Sequence, residues 1–190
     1  NHIKSFGLGS YLNNDLPIGK KGVIPDSKYY DRWYPDFKWG ATTTISNSIG
    51  QGEILTTPIQ LANMTAAVAN EGYYYTPHII KKIDGDTIDV RFKTPIKTSI
   101  DSTHFKTMNK ALYRVFKSGT GKLLNVPGIE ICGKSGTVEN FTKINGIKTQ
   151  LSDHSIFIAY APKENPTIAI SVLVENAGYG SVWAGRIASL

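Results

Sequence analysis

Apolar and polar positions follow no sustained period over residues 1–55, a stretch rich in Gly, Pro, Asp and Trp, which predicts loops there. From Thr57 the pattern sharpens. Ile59, Leu61, Ala62, Met64, Ala66, Val68 and Ala69 are apolar nearly all round, which predicts a largely buried helix. Its start is well marked. Thr57 can cap, Pro58 takes the first helical position where its missing N–H is harmless, and Gln60 closes a capping box. Asn70-Glu71-Gly72 stops it, Gly72 being suited to the left-handed position past the last turn.

Further on, His78–Ile83 and Thr87–Phe92 flank Asp84-Gly85 and predict a small hairpin. Asp101 or Ser102 caps a second helix. Phe105, Met108, Ala111, Leu112, Val115 and Phe116 line one of its faces, Lys106, Lys110, Arg114 and Lys117 the other, and Ser118-Gly119-Thr120-Gly121 ends it. The last third reads as strands. Ile129–Cys132 runs into Gly133–Thr137, and Phe141–Ile144 faces Ile147–Leu151 across Asn145-Gly146. His154–Ala161 and Thr167–Glu175 are apolar runs separated by Pro162-Lys163-Glu164-Asn165-Pro166, and Ser181–Leu190 is mildly helical. The expected fold is α+β: loops over 1–55, helices and a small hairpin over 56–128, and an antiparallel sheet with a terminal helix over 129–190.

Composition narrows the function classes. With 190 residues, 41% hydrophobic and 19% charged, the chain has material for a packed core. Its net charge of +6 permits an anionic partner. The basic residues are scattered, however, with only Lys20-Lys21 and Lys81-Lys82 adjacent and no aromatic interleaving, so nucleic acid is not an expected partner. The single Cys132 precludes an internal disulfide and reads as a small hydrophobe. His2, His78, His104 and His154 show no metal-ligand spacing, so neither a metal nor a cofactor is expected. No apolar run approaches the ~18 residues that cross a bilayer. The chain opens at Asn1 without a Met or a signal peptide, as an internal fragment would.

GxSxG, Walker A and HExxH are all absent. One short stretch on a predicted strand carries chemistry: Gly133-Lys134-Ser135-Gly136-Thr137. Lys-Ser/Thr-Gly on a strand is the third motif of penicillin-binding proteins and serine β-lactamases. The tetrapeptide alone is weak, but its surroundings match in order. Trp39-Gly40-Ala41-Thr42, Ser48-Ile49-Gly50-Gln51-Gly52, Thr57-Pro58-Ile59-Gln60-Leu61-Ala62, Asn70-Glu71-Gly72, Thr76-Pro77-His78, Asp153-His154-Ser155-Ile156-Phe157, Ala161-Pro162, Asn165-Pro166 and Glu175-Asn176 all occur in sequence. Together they resemble the transpeptidase domain of class B, monofunctional penicillin-binding proteins, most closely the elongation, rod-shape type.

Two of that family's motifs are missing. No serine has a lysine three residues on, and no S-x-N occurs. Tyr11-Leu12-Asn13 fits a Y-x-N variant, but its surroundings resemble the family's segment after the second motif, so Tyr11 reads as structural. Both missing motifs come earlier in the family's order. The expectation is therefore that 1–190 is the C-terminal part of one transpeptidase domain, a partial serine β-lactamase/D,D-peptidase-like fold lacking its nucleophile.

The resemblance implies serine acyl transfer that cross-links peptidoglycan stem peptides during cell-wall elongation, with β-lactams as inhibitors. Lys134 then supplies positive charge, hydrogen-bonds the second-motif serine and assists proton transfer. Ser135 and Thr137 hydroxyls receive the substrate carboxylate, Gly136 lets the substrate lie along the strand, and the Thr137 N–H is an oxyanion donor. Glu139 borders the acceptor side, and His154 is structural. The family also implies an N-terminal membrane anchor, a domain outside the cytoplasmic membrane and a glycan-strand polymerase as partner. Alternatives are a β-lactam sensor or class D-like β-lactamase, and a non-catalytic module that grips a peptide or β-lactam carboxylate.

Overall fold

A computed structural model describes residues 2–36, 38–84 and 87–190. Its elements in chain order are helices α1 (Ser27–Trp33), α2 (Ala41–Ser48) and α3 (Pro58–Ala69), strands β1 (Tyr73–Tyr74) and β2 (Ile96–Lys97), and helix α4 (Thr103–Lys117). Strands β3 (Cys132–Val138), β4 (Phe141–Ile144), β5 (Ile147–Gln150), β6 (His154–Ala161) and β7 (Ile168–Val174) follow, and helix α5 (Ala184–Ala188) closes the chain. The α+β expectation holds, with helices packed on an antiparallel sheet.

The central sheet has the order β3-β6-β7. β3 and β6 pair along the whole of β3, from Cys132 opposite Tyr160 to Val138 opposite His154. β6 continues the ladder into β7, Ser155 facing Val174 and Ala161 facing Ile168. Period-two burial on β6 explains its central place: Ser155, Phe157 and Ala159 are buried while the residues between them are half-buried. Phe157 stacks edge-on against Phe116 of α4 and joins Leu124, Ile131, Ala159 and Ala184 in the core. α3 lies on β7 and β6, α4 on β3, and α5 on β6 and β7. β4 and β5 form the expected hairpin, with Asn145 and Gly146 both at positive φ as a two-residue turn requires.

α3 begins as the sequence predicts. Thr57 Oγ1 accepts from the Gln60 N–H at 3.3 Å, Gln60 Oε1 accepts from the Thr57 N–H at 3.0 Å, and Pro58 follows the cap. Its burial differs from the expectation. The fully buried positions are Gln60, Asn63, Thr65 and Ala67, while Ile59 is 44% exposed. Polar groups go inside here because each finds partners. Gln60 Nε2 donates to the carbonyls of Gly7 (3.3 Å), Ser10 (2.8 Å) and Lys21 (3.0 Å), and Asn63 Nδ2 donates to Phe6 O at 3.0 Å. At the other end Glu71 takes the left-handed conformation (φ 57°) and Gly72 also has positive φ. α4 is capped by Asp101 rather than Ser102: Asp101 Oδ1 accepts from the Thr103 N–H at 2.9 Å and the Thr103 hydroxyl at 2.6 Å, while the Ser102 side chain makes no capping bond.

Two expectations are corrected. Residues 1–55 are not all loop. They hold α1, α2 and a 3₁₀ turn at Ile3–Phe6. Asp26 caps α1 by accepting from the Tyr29 N–H, and Val23 bridges Leu55. Tyr30 of α1 is buried, donates to Glu53 Oε2 at 2.6 Å and accepts from Asn47 Nδ2 at 2.7 Å. Both helices are short, lack an apolar stripe and are secured by these distant polar contacts, so no local period marks them. The second correction concerns His78–Ile83 and Thr87–Phe92. Their described residues form no strand, and Val90–Phe92 is a 3₁₀ turn; Gly85 of the expected turn lies outside the described residues. The backbone N–H groups of Ile79 and Ile80 turn instead to the Asp15 carboxylate, at 2.9 and 2.8 Å, and the His78 ring lies 4.5 Å from that of Phe92.

Gln60→Ala removes the reciprocal cap and takes the donor from the buried Gly7 carbonyl and the part-buried Ser10 and Lys21 carbonyls. We expect it to destabilise the fold by about 2–4 kcal/mol, read as a lowered denaturation midpoint; a loss under ~1 kcal/mol would deny Gln60 this role. Asp15 gives a pH signature. The Ile80 N–H above all, with the Ile79 N–H, holds its carboxyl below the ordinary carboxylate range. A depressed folded-state pKa stabilises above the unfolded value, about 3.9, and that contribution is lost as pH falls through the lower folded value. Asp15→Asn should therefore flatten the acid limb of the stability profile, leaving the neutral-to-alkaline slope alone; an unchanged acid limb would exclude Asp15 as its source.

Candidate functional site

Lys134, Ser135, Gly136 and Thr137 lie together on β3, an edge strand that among the described residues pairs only with β6. The direction of its backbone groups follows from two side chains. Lys134 Nζ donates to Ser135 O at 2.6 Å, and Gln51 Nε2 donates to Thr137 O at 3.5 Å from across the edge. In an antiparallel ladder the N–H and C=O of one residue point to the same side. Ser135 and Thr137 thus present their N–H groups to the open edge, where an added strand or a developing oxyanion would find donors.

The side chains add hydroxyls and charge. Ser135 Oγ sits 3.4 Å from Thr120 Oγ1, which the Ser118–Gly121 turn after α4 brings up to the strand. Thr137 Oγ1 accepts from the Gly180 N–H at 3.2 Å, which leaves its own proton free to donate. Lys134 is exposed and makes no ion pair among the described residues, so its charge remains available to an anion. At Gly136 the nearest atom to a built Cβ is Ile156 Cβ at 3.5 Å, so here the absence of a side chain opens the surface rather than relieving a clash. Glu139 is exposed just beyond the end of β3, without an ion pair among the described residues.

Two reactive residue types sit elsewhere. His154 is at the far end of β6, opposite Val138, and its Nδ1 accepts from the Asn176 backbone N–H at 3.2 Å, which places its proton on Nε2. Cys132 is buried at the start of β3 with its Sγ 3.8 Å from Asn109 O. Burial pushes its thiol up, away from the thiolate that chemistry would need. Among the described residues no group of three or more His, Cys, Asp or Glu could hold a metal ion, and no helix is long and apolar enough to cross a membrane.

The four motif residues are thus brought together by strand geometry, with Glu139 at their border. Gln51, Thr120 and Gly180 join them although the sequence reading assigns these three no role. Gln51 carried a signal, lying inside Ser48-Ile49-Gly50-Gln51-Gly52. Thr120 and Gly180 carried none, because each arrives through a turn whose landing place depends on tertiary packing.

Known proteins resemble the chain over nearly its whole length. The model of the penicillin-binding protein transpeptidase domain matches residues 1–189. The chain is 34% identical to the peptidoglycan D,D-transpeptidase MrdA of Acinetobacter baumannii over 188 residues, covering 94% of this chain and 28% of that protein. It thus spans less than a third of that relative's length. Among solved structures it superposes on Pseudomonas aeruginosa PBP2 in complex with WCK 5153 with a TM-score of 0.81, at 29% identity over 98% of this chain and 39% of that one. A chain from a peptidoglycan synthase complex that coordinates polymerization and crosslinking gives a TM-score of 0.78 at 27% identity, over 97% of this chain and 30% of that one. With the family model matching residues 1–189 and its Lys-Ser-Gly-Thr segment on an open sheet edge, the chain belongs to the penicillin-binding protein transpeptidase domain family.

Proposed function

We propose that these residues form the carboxylate- and oxyanion-binding side of a D,D-transpeptidase that cross-links peptidoglycan stem peptides during cell-wall elongation. The observation that carries this reading is the edge strand β3, which bears the outward Thr137 N–H, the Ser135 and Thr137 hydroxyls and the exposed Lys134 ammonium within four residues. In the reaction a serine oxygen attacks the penultimate D-alanine carbonyl, the C–N bond breaks, and the terminal D-alanine leaves with the proton the serine gave up. An amine of a neighbouring strand then attacks the ester and releases the serine. The Thr137 N–H donates to the oxyanion that forms at each attack.

Ser135 and Thr137 hydroxyls hold the terminal carboxylate with less desolvation than a further buried charge would require. Lys134 attracts that carboxylate and hydrogen-bonds the second-motif serine. Gly136 leaves the strand surface bare so that the stem peptide can add as a strand. Glu139 borders the acceptor side. A β-lactam enters as a mimic of the same peptide terminus. The parent protein on this reading is anchored by an N-terminal membrane helix, works outside the cytoplasmic membrane and partners a glycan-strand polymerase. The relative solved in a complex that couples polymerization to crosslinking supports that partnership.

Lys134→Ala in the full-length protein tests the assignment. A charge-assisted hydrogen bond contributes about 1.5–3 kcal/mol, and each ~1.4 kcal/mol is tenfold in rate. The second-order rate of acylation by a labelled penicillin should fall by about ten- to hundredfold with little change in melting temperature. Lys134→Arg should restore only part of it, since a planar fork does not fit a compact ammonium's place. An unchanged rate at unchanged stability would remove Lys134 from the site. Residues 1–190 alone should form no adduct with a fluorescent penicillin that survives denaturation, because none of their serines has a lysine three residues on. Labelling that maps to a serine within 1–190 would overturn the view that the nucleophile lies outside them.

A further inference from the structure

After β7 the chain folds back against the strand that carries the motif, and its backbone meets Thr137. We propose that Gly180 is a positioning residue: its N–H, pinned by the buried Ser155 hydroxyl, orients the Thr137 side chain as a hydrogen-bond donor to the ligand carboxylate. The inference rests on the transpeptidase reading of Thr137 given above.

A threonine hydroxyl has one proton and accepts through its lone pairs, and nothing intrinsic decides which of these faces a ligand. The Gly180 N–H, 3.2 Å from Thr137 Oγ1, engages a lone pair. The hydroxyl proton is then the group left for the carboxylate, and the N–H polarises it in the donating sense.

Two constraints hold that N–H in place. The first is contact distance. A Cβ built on Gly180 would overlap the carbonyl oxygens of Gly136 and Ile156, which face each other across β3 and β6. Gly180 is not at positive φ, so closeness rather than backbone conformation selects glycine here. Gly178 is the contrast, with φ +85° and no atom within 4 Å of a built Cβ. The second constraint is Ser155, the register partner of Thr137, which is 0% exposed. Its hydroxyl donates to Tyr179 O at 3.0 Å and accepts from the Ala184 N–H at 3.0 Å. The Gly185 N–H donates to Gly180 O at 2.8 Å, and Gly185 is itself packed against Leu124 and Phe157 of the core. Gly180 is therefore fastened on one side to β6, through Ser155 and Tyr179, and on the other to α5, through Gly185.

The test measures acylation of the full-length protein by a carboxylate-bearing labelled penicillin for Thr137→Val, Gly180→Ala and the pair, with thermal melts alongside. Gly180→Ala should slow acylation by about three- to tenfold. Because it acts through the Thr137 hydroxyl, it should slow the Thr137→Val protein by less than about twofold. Full multiplicativity of the two effects, or a wild-type rate in Gly180→Ala, would overturn the positioning role. If Thr137→Val acylates normally, the carboxylate reading of Thr137 fails and this inference fails with it; if only Gly180→Ala is silent, the reading stands and the inference alone falls. Should Gly180→Ala not fold, Ser155→Ala keeps the tight packing at Gly180 and removes only its anchor. It should show the same loss of effect in the Thr137→Val background, and independent effects there would refute the proposal.

Discussion

The structure depends on one awkward requirement: β3 must keep an edge unpaired and yet hold it rigid. An open edge is a template for unwanted strand pairing, and proteins blunt it with charge or cover. Here the outward carbonyls of Ser135 and Thr137 are taken by Lys134 Nζ and Gln51 Nε2. What remains presented is donors and a positive charge, a combination suited to a peptide that ends in a carboxylate. Rigidity comes from the other side. The ladder to β6 runs the length of β3, and Phe157, opposite Ser135, is locked into the core by Phe116.

A single amide organises the ground around that strand. Gln60 closes the α3 capping box with its oxygen and gathers Gly7, Ser10 and Lys21 with its nitrogen, so helix initiation and the course of the first twenty-odd residues depend on the same 1%-exposed side chain. The segment so held leads on to Val23, whose bridge to Leu55 ties it to the approach to α3. Gln51, a few residues before that bridge point, is thereby presented toward β3. Polar burial in α3 is thus part of how the edge is furnished, since each buried donor replaces a water with a chosen carbonyl.

These connections explain which features were legible in the sequence. Capping chemistry, an Asn-Gly turn and period-two alternation are local, and α3, α4, β3, the β4–β5 hairpin, β6 and β7 follow from them, Lys134–Thr137 included. α1 and α2 were invisible because Tyr30, Asn47 and Glu53 stabilise one another across more than twenty residues, with no apolar face to announce a helix. The failed hairpin at 78–92 has the same cause. A turn dipeptide between two apolar runs is an honest local signal, but Asp15 captures the Ile79 and Ile80 N–H groups that a strand would have needed. Tertiary hydrogen bonds outbid local propensity where the segment buries little. Thr120 and Gly180 reach the site by the same long-range route, which no spacing rule anticipates.

The arrangement also separates recognition from bond-making. The β3 edge gathers hydroxyls, an N–H donor and a cation, yet the chain provides none of its serines with a lysine neighbour in the activating spacing. Its one thiol does not fill the gap. Cys132 shares β3 with Lys134, but its side chain is buried against α4 and Tyr160, and burial raises its pKa rather than lowering it. On the proposed transpeptidase reading, the attacking serine comes to this edge from outside residues 1–190 and meets donors that are already in position. That division suits acyl transfer. Electrostatic stabilisation is greatest when the donors are fixed before charge develops, and an edge locked to β6 from behind satisfies that condition whichever residue delivers the attack.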